Sequence, residues 1–384
     1  MRSLDAFAQD KLDDLERRHL RRALADTVRE DGIWVERDGK RLLSFSCNDY
    51  LNLTQHPTIK QAAIAAIETY GAGAGASRLV TGNHPLFRQL EARLARIKQT
   101  DAAVVFGSGY LANAGIIPVL IGRDGLVLAD ELSHACLFAG AQLSRGLLVP
   151  FRHNDVAHAR ELLRQRRAAH ERTLIVTDGV FSMDGDLAPL ADLVALAAEY
   201  DAWLMSDDAH GLGVVGGGRG SSDAGNTHIA VPLQMGTLSK AVGAYGGYLC
   251  ASTPVIDLIR NRARTLIYST GLPPACVAAA IAALDLIERE PGYAALPLKK
   301  AKAFTQAAGL PEAQSPIVPV IVGEEETTLA ASRLLADAGF LAAPIRPPTV
   351  AAGTARLRLT FTAQHPDDAI VRLATIVRDK ILRH

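Results

Sequence analysis

The stretch AWLMSDDAHG, residues 202–211, passes from an apolar run directly into two aspartates and a histidine. A short apolar run of this kind is typical of a buried strand. Six similar runs occur between residues 100 and 251, and helical patterns separate them. The six runs are AAVVF (102–106), GLVLAD (125–130), LLVPF (147–151), TLIVTD (173–178), IAVPLQM (229–235) and GYLCA (247–251). This alternation predicts an α/β fold with a mostly parallel, seven-stranded sheet covered by helices.

The two ends of the chain follow different patterns. Residues 1–30 show an Arg-rich amphipathic helix pattern, and GIWVERDGKRLLSFS (32–46) has Asp38-Gly39 between two strand-like runs, which predicts a β-hairpin. After about residue 300, the runs SPIVPVIVG (315–323) and ARLRLTFTA (355–363) indicate a smaller α+β domain. The predicted segments are an N-terminal helix and hairpin (1–45), a large cofactor-binding domain (46–290) and a small C-terminal α+β domain (291–384).

The composition argues against several kinds of partner. Hydrophobic residues make up 48% of the 384 residues, and 41 Lys and Arg balance 41 Asp and Glu. A chain without net charge has no global field that would attract nucleic acid or an anionic membrane, so we expect neither partner. The N-terminus lacks the apolar core of a signal peptide, and ACVAAAIAALDLI (275–287) is too short to span a bilayer. We therefore expect a soluble, cytoplasmic protein.

The four cysteines, Cys47, Cys136, Cys250 and Cys276, lie far apart in the sequence. They show neither the paired spacing of zinc ligands nor a disulfide framework. We therefore predict reduced thiols in the core and no metal site.

Polar and small residues follow several of the predicted strands. Because ligands bind at the carboxyl ends of the strands in open parallel sheets, we expect these residues to share one cleft. The clusters are Gly107-Ser108-Gly109-Tyr110, Ser133-His134, Asp178 to Ser182, Asp207 to Gly211, and Thr237 with Lys240. Each cluster alone is weak evidence, since an aspartate at a strand end is often a helix cap. The convergence of five clusters carries the prediction.

Three of these clusters meet the needs of pyridoxal phosphate. A lysine is seldom buried without a function, because removing water from an ammonium group is costly, and Lys240 follows an apolar run. Lys240 is therefore the candidate for a Schiff base with this cofactor, and Asp207 is the candidate partner of its ring nitrogen. The helix predicted after Gly109-Tyr110 offers backbone N–H groups to the phosphate.

Two other segments have alternative interpretations. GAGAGASRLVTGN (71–83) is close to a dinucleotide fingerprint, but it lacks the third glycine at the required spacing. A glycine-rich loop that approaches the cofactor from a partner subunit is the favoured interpretation. Arg17, Arg18, Arg21 and Arg22 form a basic cluster, which is typical of a solvated helix face or of a contact for an acidic carrier protein or nucleotide phosphates.

Three motifs resemble the α-oxoamine synthases, which are fold-type I pyridoxal-phosphate enzymes. These motifs are TLSKAVGAYGGYL (237–249), DDAHGLGVVGGGRG (207–220) and TDGVFSMDGDLAPL (177–190). The resemblance extends from SFSCNDYLNL (44–53) to ARLRLT (355–360). It implies condensation of an amino acid with an acyl thioester and loss of CO2. It also implies a homodimer.

Three further segments resemble one branch of that family in particular. They are FRHND (151–155), YSTGLPP (268–274) and IRPPTVAAGTARLRL (345–359). That branch condenses L-alanine with a pimeloyl thioester, carried by coenzyme A or a carrier protein, in biotin synthesis. The resemblance leaves open a sister synthase that uses glycine or serine. A non-catalytic relative is disfavoured, because such proteins tend to lose the lysine that is present here as Lys240.

The resemblance also implies a role for individual residues in binding the cofactor. Lys240 would form the Schiff base and move the α-proton, Asp207 would pair with the ring nitrogen, and His134 would stack on the ring. The remaining implied contacts are Ser182 and His210 near the ring hydroxyl, Thr237 and the backbone of Gly109 and Tyr110 at the phosphate, and Thr270 reaching the phosphate from the other subunit.

Substrate contacts follow from the same resemblance. Asn48 and Arg358 would bind the amino-acid carboxylate, and Arg358 can do so with two parallel hydrogen bonds. His134 would face the substrate as well as the cofactor. Thr349 and Arg22 would line the path of the acyl group, although the neighbouring Arg21 fits the pattern nearly as well.

Overall fold

The structure is a computed structural model that describes residues 2–18, 20–22, 24–30, 32–225 and 227–382. Its backbone contacts divide the described chain into two compact units. The larger unit contains residues from 47–319 and 360–382, and the smaller unit contains residues from 2–46 and 320–359.

The strands are numbered in chain order. They are β1 (Val28–Arg29), β2 (Trp34–Arg37), β3 (Lys40–Ser44), β4 (Ala102–Phe106), β5 (Leu126–Asp130), β6 (Leu147–Phe151), β7 (Thr173–Asp178), β8 (Trp203–Asp207), β9 (Leu233–Thr237), β10 (Gly247–Ala251), β11 (Ile317–Gly323), β12 (Phe340–Leu341), β13 (Ala343–Ile345) and β14 (Ala355–Thr360). Strands β4 to β10 belong to the larger unit.

The α-helices follow the same numbering. They are α1 (Arg2–Arg17), α2 (Pro57–Tyr70), α3 (Leu86–Ile97), α4 (Gly109–Leu120), α5 (Ala135–Ser144), α6 (Val156–Arg166), α7 (Leu190–Glu199), α8 (Thr253–Arg262), α9 (Arg264–Ile267), α10 (Pro274–Arg289), α11 (Pro291–Ala294), α12 (Leu296–Ala308), α13 (Glu325–Asp337) and α14 (Asp367–Lys380). Within the described parts of the chain, none of them has the length and apolar character needed to cross a bilayer.

The larger unit is built on a sheet of seven described strands in the order β4-β10-β9-β8-β7-β5-β6. Strand β10 runs antiparallel to β4 and β9, and the other neighbouring pairs are parallel. The prediction of a mostly parallel, seven-stranded sheet is therefore confirmed. The predicted position of one strand was wrong, because β9 begins at Leu233 and not at Ile229. Pro232 explains the shift, since a proline cannot donate a ladder hydrogen bond inside a central strand.

Apolar side chains cover both faces of this sheet. On β10, Tyr248 and Cys250 belong to one buried cluster, which also includes residues of α3 and α10. Leu249 and Ala251 belong to a second cluster with residues of α4, α5 and α8. Successive side chains of a strand point to opposite faces, so helices pack on both sides of the sheet and leave its carboxyl edge for polar residues.

The smaller unit contains the predicted hairpin. Strands β2 and β3 pair antiparallel, and Arg37 lies opposite Lys40. The two turn residues, Asp38 and Gly39, have positive φ angles of 52° and 70°, as a two-residue hairpin turn requires. The helix predicted over residues 1–30 is shorter than expected, because α1 ends at Arg17. Strand β1 then pairs antiparallel with β2.

The division into units differs from the predicted segments after residue 46. Residues 291–319 and 360–382 belong to the larger unit, whereas the sequence indicated one C-terminal domain from residue 291. Helices α12 and α14 pack against each other inside the larger unit. In addition, the Ala363 amide donates to the Tyr50 carbonyl at 2.8 Å. These contacts tie the last helix to the sheet domain.

The four cysteines are unpaired. Cys136 and Cys250 are buried, whereas Cys47 and Cys276 are partly exposed. Burial raises the pKa of the Cys136 and Cys250 thiols to about 12, and the nearby Asp207 charge adds to the effect at Cys136. Both buried residues are therefore neutral thiols at physiological pH.

Candidate active site

A cavity of about 250 Å³ lies in the larger unit at the carboxyl ends of the parallel strands. The carboxyl ends of β7, β8 and β9 and residues that follow β4, β5, β7, β8 and β9 form its lining. They are Ser108, Gly109, Tyr110, His134, Cys136, Asp178, Val180, Asp207, Ala209, His210, Met235, Thr237, Ser239 and Lys240. The structure thus brings together residues from all five clusters that follow the predicted strands.

Lys240 lies at one end of a chain of polar contacts. Its Nζ is 2.8 Å from His210 Nε2, and His210 Nδ1 is 2.7 Å from Tyr50 Oη. Tyr50 Oη donates to Asn48 Oδ1 at 3.3 Å. One assignment of protons satisfies all three contacts: His210 donates from Nδ1 to the Tyr50 oxygen and accepts at Nε2 from Lys240. His210 is then oriented to exchange a proton with the lysine amine.

Asp207 is held in place at the end of β8. Its Oδ2 accepts from Asn113 Nδ2 at 2.7 Å, and its Oδ1 accepts from the Ala209 amide at 3.0 Å. In the neighbouring strand, Asp178 lies directly beside Asp207. Burial and the Asp207 charge raise the pKa of Asp178 well above its usual value. The protonated form of Asp178 is therefore more favoured than that of an exposed aspartate.

His134 begins helix α5 and faces the same cavity. Its Nδ1 accepts from the Cys136 amide at 3.2 Å, and its own amide donates to Asp178 Oδ1 at 3.2 Å. Burial lowers the pKa of His134, and the Lys240 charge lowers it further while Asp207 opposes the effect. The ring is therefore neutral at pH 7. An imidazole is also flat, which suits stacking on an aromatic ligand.

Helix α4 begins at the cavity and offers its first N–H groups to an anion. Ser108 caps the helix, and its Oγ accepts from the Leu111 amide at 3.2 Å. The first N–H groups of a helix lack intrahelical partners and carry partial positive charge, which favours a phosphate. A Cβ atom on Gly109 would lie 3.3 Å from Met235 Cε and 3.5 Å from Thr237 Cβ. Glycine therefore keeps this cradle open.

The second aspartate of the Asp207-Asp208 pair has a different role. Asp208 Oδ2 accepts from Lys98 Nζ at 2.8 Å, and both side chains are almost completely buried. Lys98 Nζ also donates to the Arg219 carbonyl at 2.8 Å, and Asp208 Oδ1 accepts from the Ser221 amide at 3.0 Å. This buried ion pair fixes the glycine-rich loop that follows β8.

Two predicted cofactor residues are not among the residues that line the cavity in the described chain. Ser182 is half-buried in the turn after β7. Thr270 pairs through its backbone with Ser77, in the glycine-rich segment 71–83. The roles of these two residues stay predictions.

The predicted acyl-path residues meet in the smaller unit. Arg22 Nη2 donates to Thr349 Oγ1 at 3.4 Å, and both line a cavity of about 180 Å³ together with Arg346. Arg21 instead pairs with Glu16 at 3.4 Å. The roles of Arg22 and Thr349 on the acyl path stay predictions.

The two residues predicted to bind the amino-acid carboxylate lie in different units. Arg358 is buried on β14 of the smaller unit, where it lies opposite Ala343 of β13. Asn48 belongs to the larger unit. Their joint role stays a prediction.

Sequence reasoning missed Tyr50, Asn113 and Lys98. Asn113 had a visible signal, because it is a polar residue in the apolar helix GYLANAGIIPVL (109–120). A buried amide needs a partner, and here the partner is Asp207. Tyr50 and Lys98 gave no such signal, since their partners lie 160 and 110 residues away in the chain.

The amine of Lys240, the carboxylate of Asp207 and the start of α4 together supply the groups that pyridoxal phosphate needs: a Schiff-base amine, a partner for the ring nitrogen and a phosphate site. The residues present therefore fit this cofactor.

Comparison with known proteins agrees with this class of site. Residues 40–377 match the model of the family described as aminotransferase class I and II. The chain therefore belongs to that family of fold-type I pyridoxal-phosphate enzymes.

Individual relatives indicate which branch of the family the chain resembles. The 8-amino-7-oxononanoate synthase of Methylocella silvestris is 68% identical over 345 residues, which are 90% of this chain and 98% of the relative. The protein of the same name from Beijerinckia indica is 62% identical over 377 residues, 98% of each chain. A solved serine palmitoyltransferase from S. paucimobilis has a TM-score of 0.90 at 28% identity, covering 98% of this chain and 97% of its own. The chain therefore belongs, within its family, to the α-oxoamine synthases, which are acyltransferases. Its relatives are named for a step of biotin biosynthesis.

Proposed function

We propose that this chain catalyses the pyridoxal-phosphate-dependent condensation of L-alanine with a pimeloyl thioester. The products are 8-amino-7-oxononanoate, CO2 and the free thiol of coenzyme A or a carrier protein. One observation carries the proposal: Lys240, Asp207 and the start of α4 line one cavity. The 62–68% identity to proteins named for this product supports the choice of substrates.

Pyridoxal phosphate, when bound, supplies an electron sink for the bond broken at the substrate α-carbon. Lys240 Nζ would hold the cofactor and afterwards move the α-proton. Asp207 would stabilise the protonated ring nitrogen, and Asn113 together with the Ala209 amide keeps its carboxylate in one orientation. The N–H groups at the start of α4 and the hydroxyl of Thr237 would hold the phosphate.

The two histidines of the cavity, His134 and His210, would exclude water and assist proton transfer. His210 is fixed by Tyr50 and contacts the Lys240 amine, so it can help the lysine to release and recover a proton. The neutral ring of His134 would cover one face of the cofactor and exclude water from it. Placement of this kind contributes to the rate through proximity and orientation.

Each substrate has candidate binding residues. Asn48 and Arg358 would hold the carboxylate of L-alanine, with the planar guanidinium of Arg358 making two parallel hydrogen bonds. Arg22 and Thr349 already contact each other and would line the path of the pimeloyl chain.

A homodimer is part of the proposal, with the partner's Thr270 reaching the phosphate. Large apolar side chains that are exposed in the single chain support it. Leu79 is 61% exposed, Val80 73% and Tyr268 72%, and the first two belong to the glycine-rich segment 71–83. Exposed apolar groups of this size are typical of protein–protein contacts.

The decisive experiment is thiol release from pimeloyl-CoA by the purified, cofactor-loaded protein. L-alanine, glycine and L-serine are offered in parallel, and Lys240→Ala is the matched control. Release that needs L-alanine and Lys240 supports the proposal, and a second arm with a pimeloyl carrier protein identifies the better donor. Release with glycine or serine alone would identify a sister synthase instead. No release with any of the three amino acids, in a protein whose cofactor is attached to Lys240, would contradict the assignment of the acyl donor.

A further inference from the structure

His153 lies between two carboxylates and is not among the residues that line the cavity. Its Nδ1 is 3.0 Å from Asp130 Oδ1, and its Nε2 is 2.8 Å from Asp186 Oδ2. Asp130 ends β5, whereas Asp186 belongs to the loop after β7. His153 itself follows β6, so one imidazole joins the ends of three neighbouring strands. We call His153, Asp130 and Asp186 the His153 bridge.

One side of the His153 bridge fixes the loop that leads to His134. Asp130 Oδ1 also accepts from the Leu132 amide at 2.9 Å, and the Asp130 carbonyl accepts from the Ser133 amide at 3.0 Å. His134 follows immediately and begins α5. The position of its ring therefore depends on the loop that Asp130 holds.

The other side of the bridge fixes the turn that contains Ser182. The Phe181 amide donates to the Asp186 carbonyl at 3.0 Å, and the Gly185 amide donates to the Phe181 carbonyl at 2.8 Å. The Phe181 ring meets the His153 ring edge-on, with their centroids 4.4 Å apart. Ser182 thus lies in a closed turn whose two ends both contact the bridge.

The charges around His153 favour its doubly protonated form. Burial lowers the pKa of His153, but its hydrogen bonds to Asp130 and Asp186 and their negative charges outweigh burial and raise that pKa to about 10. Glu131 also faces this group, because its Oε1 accepts from the His153 amide at 3.1 Å. Asn154 Nδ2 donates to Asp186 Oδ2 at 2.9 Å. Both ring nitrogens can then donate at once, which a neutral imidazole cannot do.

We propose that His153 is a positioning residue that holds two loops of the active site in one arrangement. It contacts neither the cavity nor the reacting groups in the described chain; it acts through Asp130 on the loop of His134 and through Asp186 on the turn of Ser182. This inference rests on the proposed function, since the two loops matter only if His134 and Ser182 meet the cofactor.

The test compares His153→Gln and Asp186→Asn with the parent chain. Glutamine can donate to one carboxylate but presents an oxygen to the other, so it opens the bridge. Asparagine keeps an acceptor for His153 and removes only the charge. His228→Gln is the matched control, because His228 Nδ1 is 3.1 Å from Asp223 Oδ2 with a similar side-chain exposure, 21% against 23% for His153.

The first readout is hydrogen exchange of the cofactor-free proteins, followed by mass spectrometry. In His153→Gln we expect exchange about tenfold faster in both 130–134 and 181–187. Asp186→Asn should show a smaller increase, mainly in 181–187. His228→Gln should change neither segment. Parent-like exchange in both segments of His153→Gln would overturn the proposal, and if that variant does not fold, parent-like exchange of 181–187 in Asp186→Asn would do so.

The second readout is cofactor affinity, measured by absorbance as pyridoxal phosphate is titrated into each protein. We expect binding about tenfold weaker in His153→Gln, a loss within the range caused by removing an orienting partner at other sites. An unchanged affinity would contradict the positioning role even if exchange increased. A parent protein that binds no pyridoxal phosphate would instead contradict the proposed function, while the exchange experiment would still report on the His153 bridge.

Discussion

At the scale of single residues, the site works through pairs of polar side chains. Lys240 contacts the His210 imidazole, Asp207 accepts from the Asn113 amide, and Asp178 lies beside Asp207. Burial and the Asp207 charge raise the pKa of Asp178 well above its usual value. The sequence showed these residues at strand ends, but it could not show that the pKa of Asp178 is raised, because that depends on burial.

Replacement of Lys240 by alanine should abolish covalent attachment of the cofactor. In the parent, borohydride reduction in the presence of pyridoxal phosphate should label the peptide that contains Lys240. Lys98 is a useful internal control, because it is buried and pairs with Asp208. Peptide mapping checks both lysines. A reduced adduct on the Lys240→Ala chain would contradict the assignment.

The raised pKa of Asp178 predicts a pH dependence of stability. Its folded pKa is raised by burial first and by Asp207 second, so folding costs more as pH rises through the interval between the unfolded and the folded pKa. Asp178→Asn removes this ionisation and keeps an acceptor for the His134 amide. We expect the Tm of cofactor-free Asp178→Asn, relative to the parent, to increase from pH 4 to pH 8. Melting curves across this range check the sign, and a difference that falls with pH would refute it.

At the scale of elements, parallel strands explain why so much of the site was predictable. Once the strands were recognised, the topology placed their polar ends at one edge, and His134, Asp207, His210 and Lys240 line one cavity as expected. The start of β9 was not predicted, because its apolar run extends across Pro232 and apolar character alone does not set a strand boundary. Contacts such as Tyr50 with His210 arise only from tertiary packing.

The glycine-rich loop after β8 offers a paired test of the Lys98–Asp208 ion pair. A Cβ atom on Gly220, which has a φ of 107°, would lie 1.7 Å from Asp208 Oδ2 and 2.7 Å from Lys98 Nζ. Gly220→Ala should therefore disrupt a buried ion pair and cost about 3–5 kcal/mol of unfolding free energy. Chemical denaturation measures the loss.

Gly217→Ala in the same loop provides the control. Gly217 also has a positive φ, 64°, but no atom lies within 4 Å of its added Cβ. Only backbone strain remains there, so we expect a loss of about 1 kcal/mol. Equal losses in the two variants would show that strain alone, and not the ion pair, limits substitution in this loop.

At the scale of the whole molecule, the proposed dimer should make each site depend on two chains. Lys240 lines the cavity of its own chain, whereas Thr270 lies beside Ser77 and does not. If Thr270 serves the partner's phosphate site, two different inactive chains can restore one complete site between them. This restoration requires only that the two chains form a closed twofold dimer.

Mixing Lys240→Ala with Thr270→Glu tests this arrangement. Glutamate would repel the phosphate, so each variant alone should lose nearly all thiol release. After joint refolding, about half of the dimers are mixed and each holds one intact site, so about one quarter of the parent activity should return. Size measurement by sedimentation confirms that dimers form. No recovery in a mixed dimer would place Thr270 in the site of its own chain.

The position of β4 at the edge of the sheet has a consequence for synthesis of the chain on the ribosome. Strand β4 is the first strand of this sheet to be made, yet it pairs with β10, which is made last. At typical elongation rates the roughly 140 intervening residues take on the order of 10 s to appear. Throughout that interval AAVVF lacks the strand that pairs with it, so we expect the nascent chain to be a client for chaperones that bind extended apolar segments.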